Sequence, residues 1–195
     1  MSETLDNGGI EIIVGCMFSR KTDELLLRLD RHQIAEPHLK RLGIIRRVGL
    51  FKPTRDSRWG GNAVVESRSG RKSPAIFFSR SEDLLALGED YEVMGIEEIQ
   101  FLDSEFPRVA NRLARRHKRV IGCGLDLDFE GKPFPVTAEA MAIANMVTKL
   151  AAVCTLCGKT AYYSQRLDPS REKILVGDTE YAPRCLKCFK WPEAT

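Results

Sequence analysis

The chain has 195 residues, 43% of them hydrophobic, which is enough for one medium domain and a small appendage. Its net charge of +3 is too small to argue for a nucleic-acid partner, and no run approaches the ~18 apolar residues of a membrane span. The first residues carry neither a basic nor an apolar signal region, so a cytoplasmic protein with no nucleic-acid or membrane partner is expected.

Residues 10–14 are a short apolar run of the kind that forms a buried parallel strand. Gly15, Cys16, Met17, Phe18, Ser19, Arg20, Lys21 and Thr22 follow, matching a phosphate-binding loop except that Arg20 stands at the second glycine position. Asp23 and Glu24 then open a helix with Leu25, Leu26 and Leu29 at helical spacing, expected to end by Pro37. In such a strand–loop–helix the backbone N–H groups and the helix N-terminus surround a polyphosphate. Lys21 reaches the β- and γ-phosphates there, and the Thr22 hydroxyl holds Mg²⁺.

Residues 47–51 read as a second strand, and 53–74 as a solvated loop rich in Gly, Ser and basic residues, including Arg55, Arg58, Arg68, Arg71 and Lys72. Residues 75–78 are a third apolar run, and Ser81, Glu82 and Asp83 cap a short helix. Residues 91–96 form the fourth strand. An amphipathic helix follows over 104–117, with Phe106, Val109 and Leu113 on one stripe. Val120 and Ile121 mark the fifth strand, and 137–150 reads as another helix. This alternation predicts an α/β fold whose parallel sheet binds ligands beyond its C-terminal strand ends, where the phosphate loop lies.

The texture changes at Ala151. Cys154, Cys157, Cys185 and Cys188 make two Cys-x-x-Cys pairs, whereas Cys16 and Cys123 stand alone. Paired knuckles in a chain without a signal peptide favour structural Zn²⁺ over disulfides. If one metal gathers all four thiolates, the 27 residues between the inner cysteines close as a loop pinned at its base, and 151–195 reads as a zinc-pinned flap over the site. The expected division is 1–150 for the nucleotide-binding sheet and 151–195 for the zinc segment.

Glu97 and Glu98 end the fourth strand in the manner of a Walker B exit, where one carboxylate binds Mg²⁺ and a second can accept a proton from a hydroxyl nucleophile. Phe129 and Phe134 lie in the loop after the fifth strand. They either wall a pocket for a flat ligand or are core residues beneath that loop.

The phosphate loop, the segment Glu97 to Phe101, the segment Gly124 to Phe134 and the two knuckles occur in the order seen in type II thymidine kinases. With Ala161 to Arg166 and the Gly177/Tyr181 pair between the knuckles, the chain resembles that family over residues 9–190. The resemblance implies a P-loop NTPase-type sheet core with a zinc-ribbon or lasso domain, and ATP-dependent phosphorylation of the thymidine 5′-hydroxyl. It implies Glu98 as the general base and Lys21 with the loop amides on the ATP phosphates. Arg58 and Gln100 belong to the same ATP site, and Thr22 and Glu97 serve Mg²⁺. Met17, Leu125, Phe129, Phe134, Ser164 and Tyr181 fall on positions lining the nucleoside pocket, and backbone at Ile174, Leu175, Val176 and Gly177 holds the base. A homotetramer with a structural zinc in each subunit is also implied.

Three positions depart from the family pattern. Arg20 replaces glycine, which leaves the loop intact if its φ is negative and can add a cation to the polyphosphate. Glu97 replaces Asp, and the usual Gly-Gly before the Tyr181 segment is absent. Two other readings compete with a kinase: a nucleotide binder that has lost turnover through Arg20 and Glu97, and a zinc-ribbon nucleic-acid binder with an incidental phosphate loop.

Overall fold

Every residue of β1 (Gly9–Gly15) is buried, which follows from its place inside a parallel sheet with a strand on either side. The computed structural model describes residues 8–54, 64–167 and 180–191. Around β1 stand β2 (Val48–Pro53), β5 (Ile76–Phe78), β6 (Val93–Ile96), β7 (Arg119–Gly124) and β8 (Met146–Leu150), all parallel, in the order β5-β2-β6-β7-β1-β8. The helices are α1 (Lys21–Arg41), α2 (Asp83–Leu87), α3 (Phe106–Arg115) and α4 (Pro135–Ile143).

Strand alternation divides the core in two. Ile10, Ile12 and Val14 of β1 join Phe51, Met94, Phe106, Val109 and Leu113 on the α3 side. Ile13 joins Leu25, Leu26, Leu29 and Ile121 on the α1 side. Glu11 shares that second face and is wholly buried, where it pairs with Arg28 of α1 at 2.8 Å and with Arg119 of β7. Arg28 also reaches Glu24 and Thr148, both at 2.9 Å, so one side chain ties α1 to two strands.

The predicted helix over 137–150 is two elements. α4 ends at Ile143, Ala144 is extended, and β8 adds to the free edge of β1. Asn145 makes the turn: its N–H donates to the Ile10 carbonyl at 2.9 Å, and its side-chain oxygen accepts the Ile10 N–H at 2.8 Å. The unmet backbone groups of β1 outweigh local helix propensity, helped by β-branched Val147 and Thr148. The first helix also passes its predicted stop, with Pro37 inside α1. The carbonyl freed by the missing proline N–H belongs to Gln33, an exposed residue that water can satisfy.

The segment read as a solvated loop contains a hairpin, β3 (Val64–Glu66) with β4 (Lys72–Pro74). Its turn rests on α1: Ser69 donates to Asp23, and Arg71 pairs with Asp30 at 2.7 Å. Beyond β8, β9 (Ala152–Val153) pairs with β10 (Thr160–Ala161), and β11 (Tyr163–Arg166) with β12 (Tyr181–Arg184). Among the described residues no helix is long and apolar enough to cross a membrane.

Candidate active site

The loop joining β1 to α1 turns over at Gly15, with φ 149°, where any Cβ would collide with the Leu150 carbonyl of the neighbouring strand. Phe18 and Arg20 also have positive φ, 68° and 64°. Lys21 folds back over the loop, donating from Nζ to the Cys16 carbonyl at 3.0 Å. The ordinary condition for tolerating Arg20, a negative φ, is therefore not met. Its left-handed backbone costs about 1 kcal/mol that a glycine would not.

β6 delivers the acidic pair to the same rim. Glu97 is buried; its Oε2 accepts the Glu98 N–H at 2.8 Å, and its Oε1 has no hydrogen-bond partner among the described residues. Burial first, then the charge of Glu98, raises the Glu97 carboxyl from 4.5 to about 7, against the pull of the Thr22 hydroxyl and Lys21. That places Glu97 beside the two loop residues expected to serve phosphate and metal.

Glu98 follows in the left-handed region, with φ 52°. Three of the four non-glycine residues with positive φ among those described, Phe18, Arg20 and Glu98, thus belong to this rim. Strained backbone of this kind concentrates at functional sites. Gln100 donates to the Glu98 carboxylate and accepts the Leu125 N–H at 3.0 Å, so it spans from the acid to the exit of β7. The structure ties Gln100 to these two groups.

The loop after β7 is pinched by a bridge between Leu127 and Pro133, and Asp128 N–H donates to the Lys132 carbonyl at 2.8 Å. Phe129 and Phe134 are half-exposed and lie outside both core clusters, which decides against their being core residues. The Arg166 guanidinium lies 3.8 Å above the Phe129 ring and donates to the Tyr181 hydroxyl at 2.9 Å. Ser164, two residues before Arg166 on β11 and so on the same strand face, is buried and accepts the Met17 N–H at 2.9 Å. Met17, Phe129, Ser164 and Tyr181 are joined through these contacts.

Arg58 and residues 174–177 lie outside the described residues. Two groups have roles that the sequence reading missed. Arg166 is buried between aromatic rings, and its signal was the two-residue spacing from Ser164. Asp126 pairs at 2.7 Å with Lys149 of β8, a contact hidden by the reading of β8 as helix.

Cys154, Cys157, Cys185 and Cys188 bring their sulfurs within 4.8 Å of one another. Cys157 and Cys185 are 3.6 Å apart, close to the ~3.8 Å that tetrahedral Zn–S bonds of ~2.3 Å require. Burial pushes the Cys154 thiol up, but backbone N–H groups at Cys185, Leu156 and Cys157 outweigh it and bring the thiol to about 6. The cluster is compatible with Zn²⁺. Cys16 packs directly against it, in an apolar group with Ala152, Cys154, Ala161 and Cys185.

A family model described as thymidine kinase matches residues 8–189 of this chain. The thymidine kinase of Rhodothermus sp. (strain ITI 518) is 40% identical over 191 residues, covering 96% of this chain and 84% of that protein.

Proposed function

This chain belongs to the thymidine kinase family, and from that premise we propose the roles of its residues in transferring the γ-phosphoryl group of ATP to the 5′-hydroxyl of thymidine. Glu98 is the general base that takes the hydroxyl proton. Gln100 fixes its carboxylate, and the left-handed backbone at Glu98 turns it out of the sheet edge. Lys21 and the amides of Gly15 to Thr22 hold the polyphosphate, exchanging the internal bond to Cys16 for the ligand. Phosphoryl transfer requires positioning and charge neutralisation more than covalent chemistry, which suits this inventory.

Thr22 and Glu97 would hold Mg²⁺, and the unpartnered Glu97 Oε1 fits that role. The ion supplies neutralisation of charge shared between the β- and γ-phosphates. Met17, Leu125, Phe129, Phe134, Ser164 and Tyr181 form the nucleoside pocket, with Arg58 and residues 174–177 completing the two substrate sites. Zn²⁺ at the four cysteines pins the 151–195 segment as a unit distinct from 1–150. A homotetramer and a cytoplasmic location belong to the same proposal and rest on the family resemblance.

The observation that carries the reading is the meeting of Glu97, Glu98 and Thr22 at one end of the sheet, beside Lys21. Its test is ATP- and Mg²⁺-dependent conversion of thymidine to its monophosphate, with Glu98→Gln in parallel. Wild-type turnover and a loss of about 10²–10⁴-fold in the variant are expected. A folded protein that binds thymidine and ATP without turnover would instead be the degenerate binder.

A further inference from the structure

Arg20 combines three features that are each unfavourable in the protein alone. Its backbone is left-handed, with φ 64° and ψ 32°, where glycine is at home. It is the N-cap of α1 but makes no side-chain cap, so the usual reason for a non-glycine residue there does not apply. Its charge stands at the positive end of the α1 dipole, where a cation is disfavoured.

The surrounding charges do not relieve this. Lys21 is bonded to the Cys16 carbonyl, Glu24 to Arg28, and Asp23 to Ser69. Among the described residues Arg20 is exposed and its guanidinium has no hydrogen-bond or ion-pair partner. Each electrostatic penalty changes sign once an anion with several charges occupies the loop. A guanidinium can then bond two phosphate oxygens at once, which an ammonium cannot match.

We propose that the Arg20 side chain contacts the polyphosphate of the donor nucleotide, supplying a second cation beside Lys21 in a position where other loops of this pattern have glycine. This rests on the kinase reading for the identity of the ligand. The backbone strain is retained because a left-handed residue at this point is the one that leads the chain into α1.

The test uses Arg20→Gln, Arg20→Lys and Arg20→Gly in the full chain. Equilibrium binding of a non-hydrolysable ATP analogue is measured at two salt concentrations, alongside nucleotide-free thermal unfolding and KM for both substrates. Arg20→Gln keeps the strain and removes the charge; its analogue affinity is expected to fall about tenfold, with a weaker salt dependence and an unchanged KM for thymidine. Arg20→Lys recovers part of the loss. Arg20→Gly is expected to bind the analogue equally poorly while its Tm rises by about 2–4 °C. Analogue binding of wild-type strength in both the Gln and Gly variants would overturn the proposal and make Arg20 a tolerated substitution. Because binding is read directly, a wild-type protein that binds the analogue without phosphorylating thymidine would count against the kinase reading alone.

Discussion

Met17 N–H donates to the Ser164 hydroxyl at 2.9 Å, joining residues 147 positions apart in the chain. One residue earlier, Cys16 Sγ donates to the Ala161 carbonyl at 3.4 Å. The first half of the phosphate loop is thus held by β10 and β11, which are themselves framed by the cysteine knuckles. The loop proposed to receive the donor and the strand proposed to face the acceptor share one hydrogen bond.

Ser164→Ala should therefore affect both substrates. The variant leaves the Met17 amide unpaired, at a cost of about 1–3 kcal/mol. KM for ATP and for thymidine should each rise severalfold, and Ser164→Thr, which keeps the hydroxyl, should recover most of the ATP effect. An Ala variant with KM for ATP unchanged would show that the loop stands without this bond.

The same packing predicts what happens when metal is removed. Cys154 and Cys185 share an apolar cluster with Cys16, so loss of Zn²⁺ loosens the surface on which the loop rests. Chelation, or Cys185→Ser, should lower Tm and weaken binding of a nucleotide analogue together. Metal analysis of the purified protein should give about one zinc per chain. A zinc-free protein with unaltered nucleotide affinity would disprove the coupling.

The phosphate loop, the acidic pair and the knuckles were legible in the sequence because each is a local pattern whose chemistry needs neighbours in the chain. What escaped was decided by distant partners. β8 was hidden because Met146 to Leu150 has no strand signal strong enough to compete with the preceding helix pattern; the open edge of β1 and the Asn145–Ile10 bonds decide it. The hairpin of β3 and β4 was hidden by polar composition, since it is held by Asp23 and Asp30 of α1. Arg166 carried only its spacing from Ser164, and Gln100 was read as an ATP-site residue; their contacts with Phe129, Tyr181, Glu98 and Leu125 are brought in by the fold. The sign of φ at Arg20 was the least legible of all, because a side chain at that position says nothing about its own backbone.

If Gln100 positions Glu98 as proposed, its effect should fall on turnover. With Gln100→Ala the Glu98 carboxylate loses the Gln100 amide and the Leu125 N–H its acceptor, while the loop and the pocket walls remain. kcat should drop about 10–100-fold with smaller changes in either KM. Equal loss through KM alone would assign Gln100 to binding instead.

Glu97 makes the ion-free protein sensitive to pH. Its carboxyl titrates near 7 in the folded chain instead of 4.5, so the folded form holds a proton that the unfolded chain releases between those values. The contribution of this group to stability is intact below pH 4.5 and declines as pH rises through 7, by about 3 kcal/mol in all. Urea midpoints measured from pH 5 to 8 without divalent ions should fall more steeply in the wild type than in Glu97→Gln. A divalent cation, which favours the carboxylate, should bind more tightly as pH rises over the same interval. Parallel stability curves for the two proteins would contradict the burial and charge repulsion described for Glu97.

Glu11 tests the frame apart from the chemistry. It is wholly buried in the first half of β1, between Arg28 and Arg119, at the opposite end of the strand from the phosphate loop. Removing the carboxylate leaves two guanidinium groups without their shared anion in a dry interior, and Arg28 loses its tie to β1 while keeping Glu24 and Thr148. Glu11→Ala should lose about 3–5 kcal/mol in urea unfolding, whereas Glu11→Leu with Arg28→Met and Arg119→Leu should regain much of it, since apolar packing needs no compensation for desolvated charge. Activity per folded molecule should stay near the wild-type value in the triple variant. A Glu11→Ala protein of wild-type stability would mean that water reaches the guanidinium groups and that the pair contributes little to holding β1, α1 and β8 together.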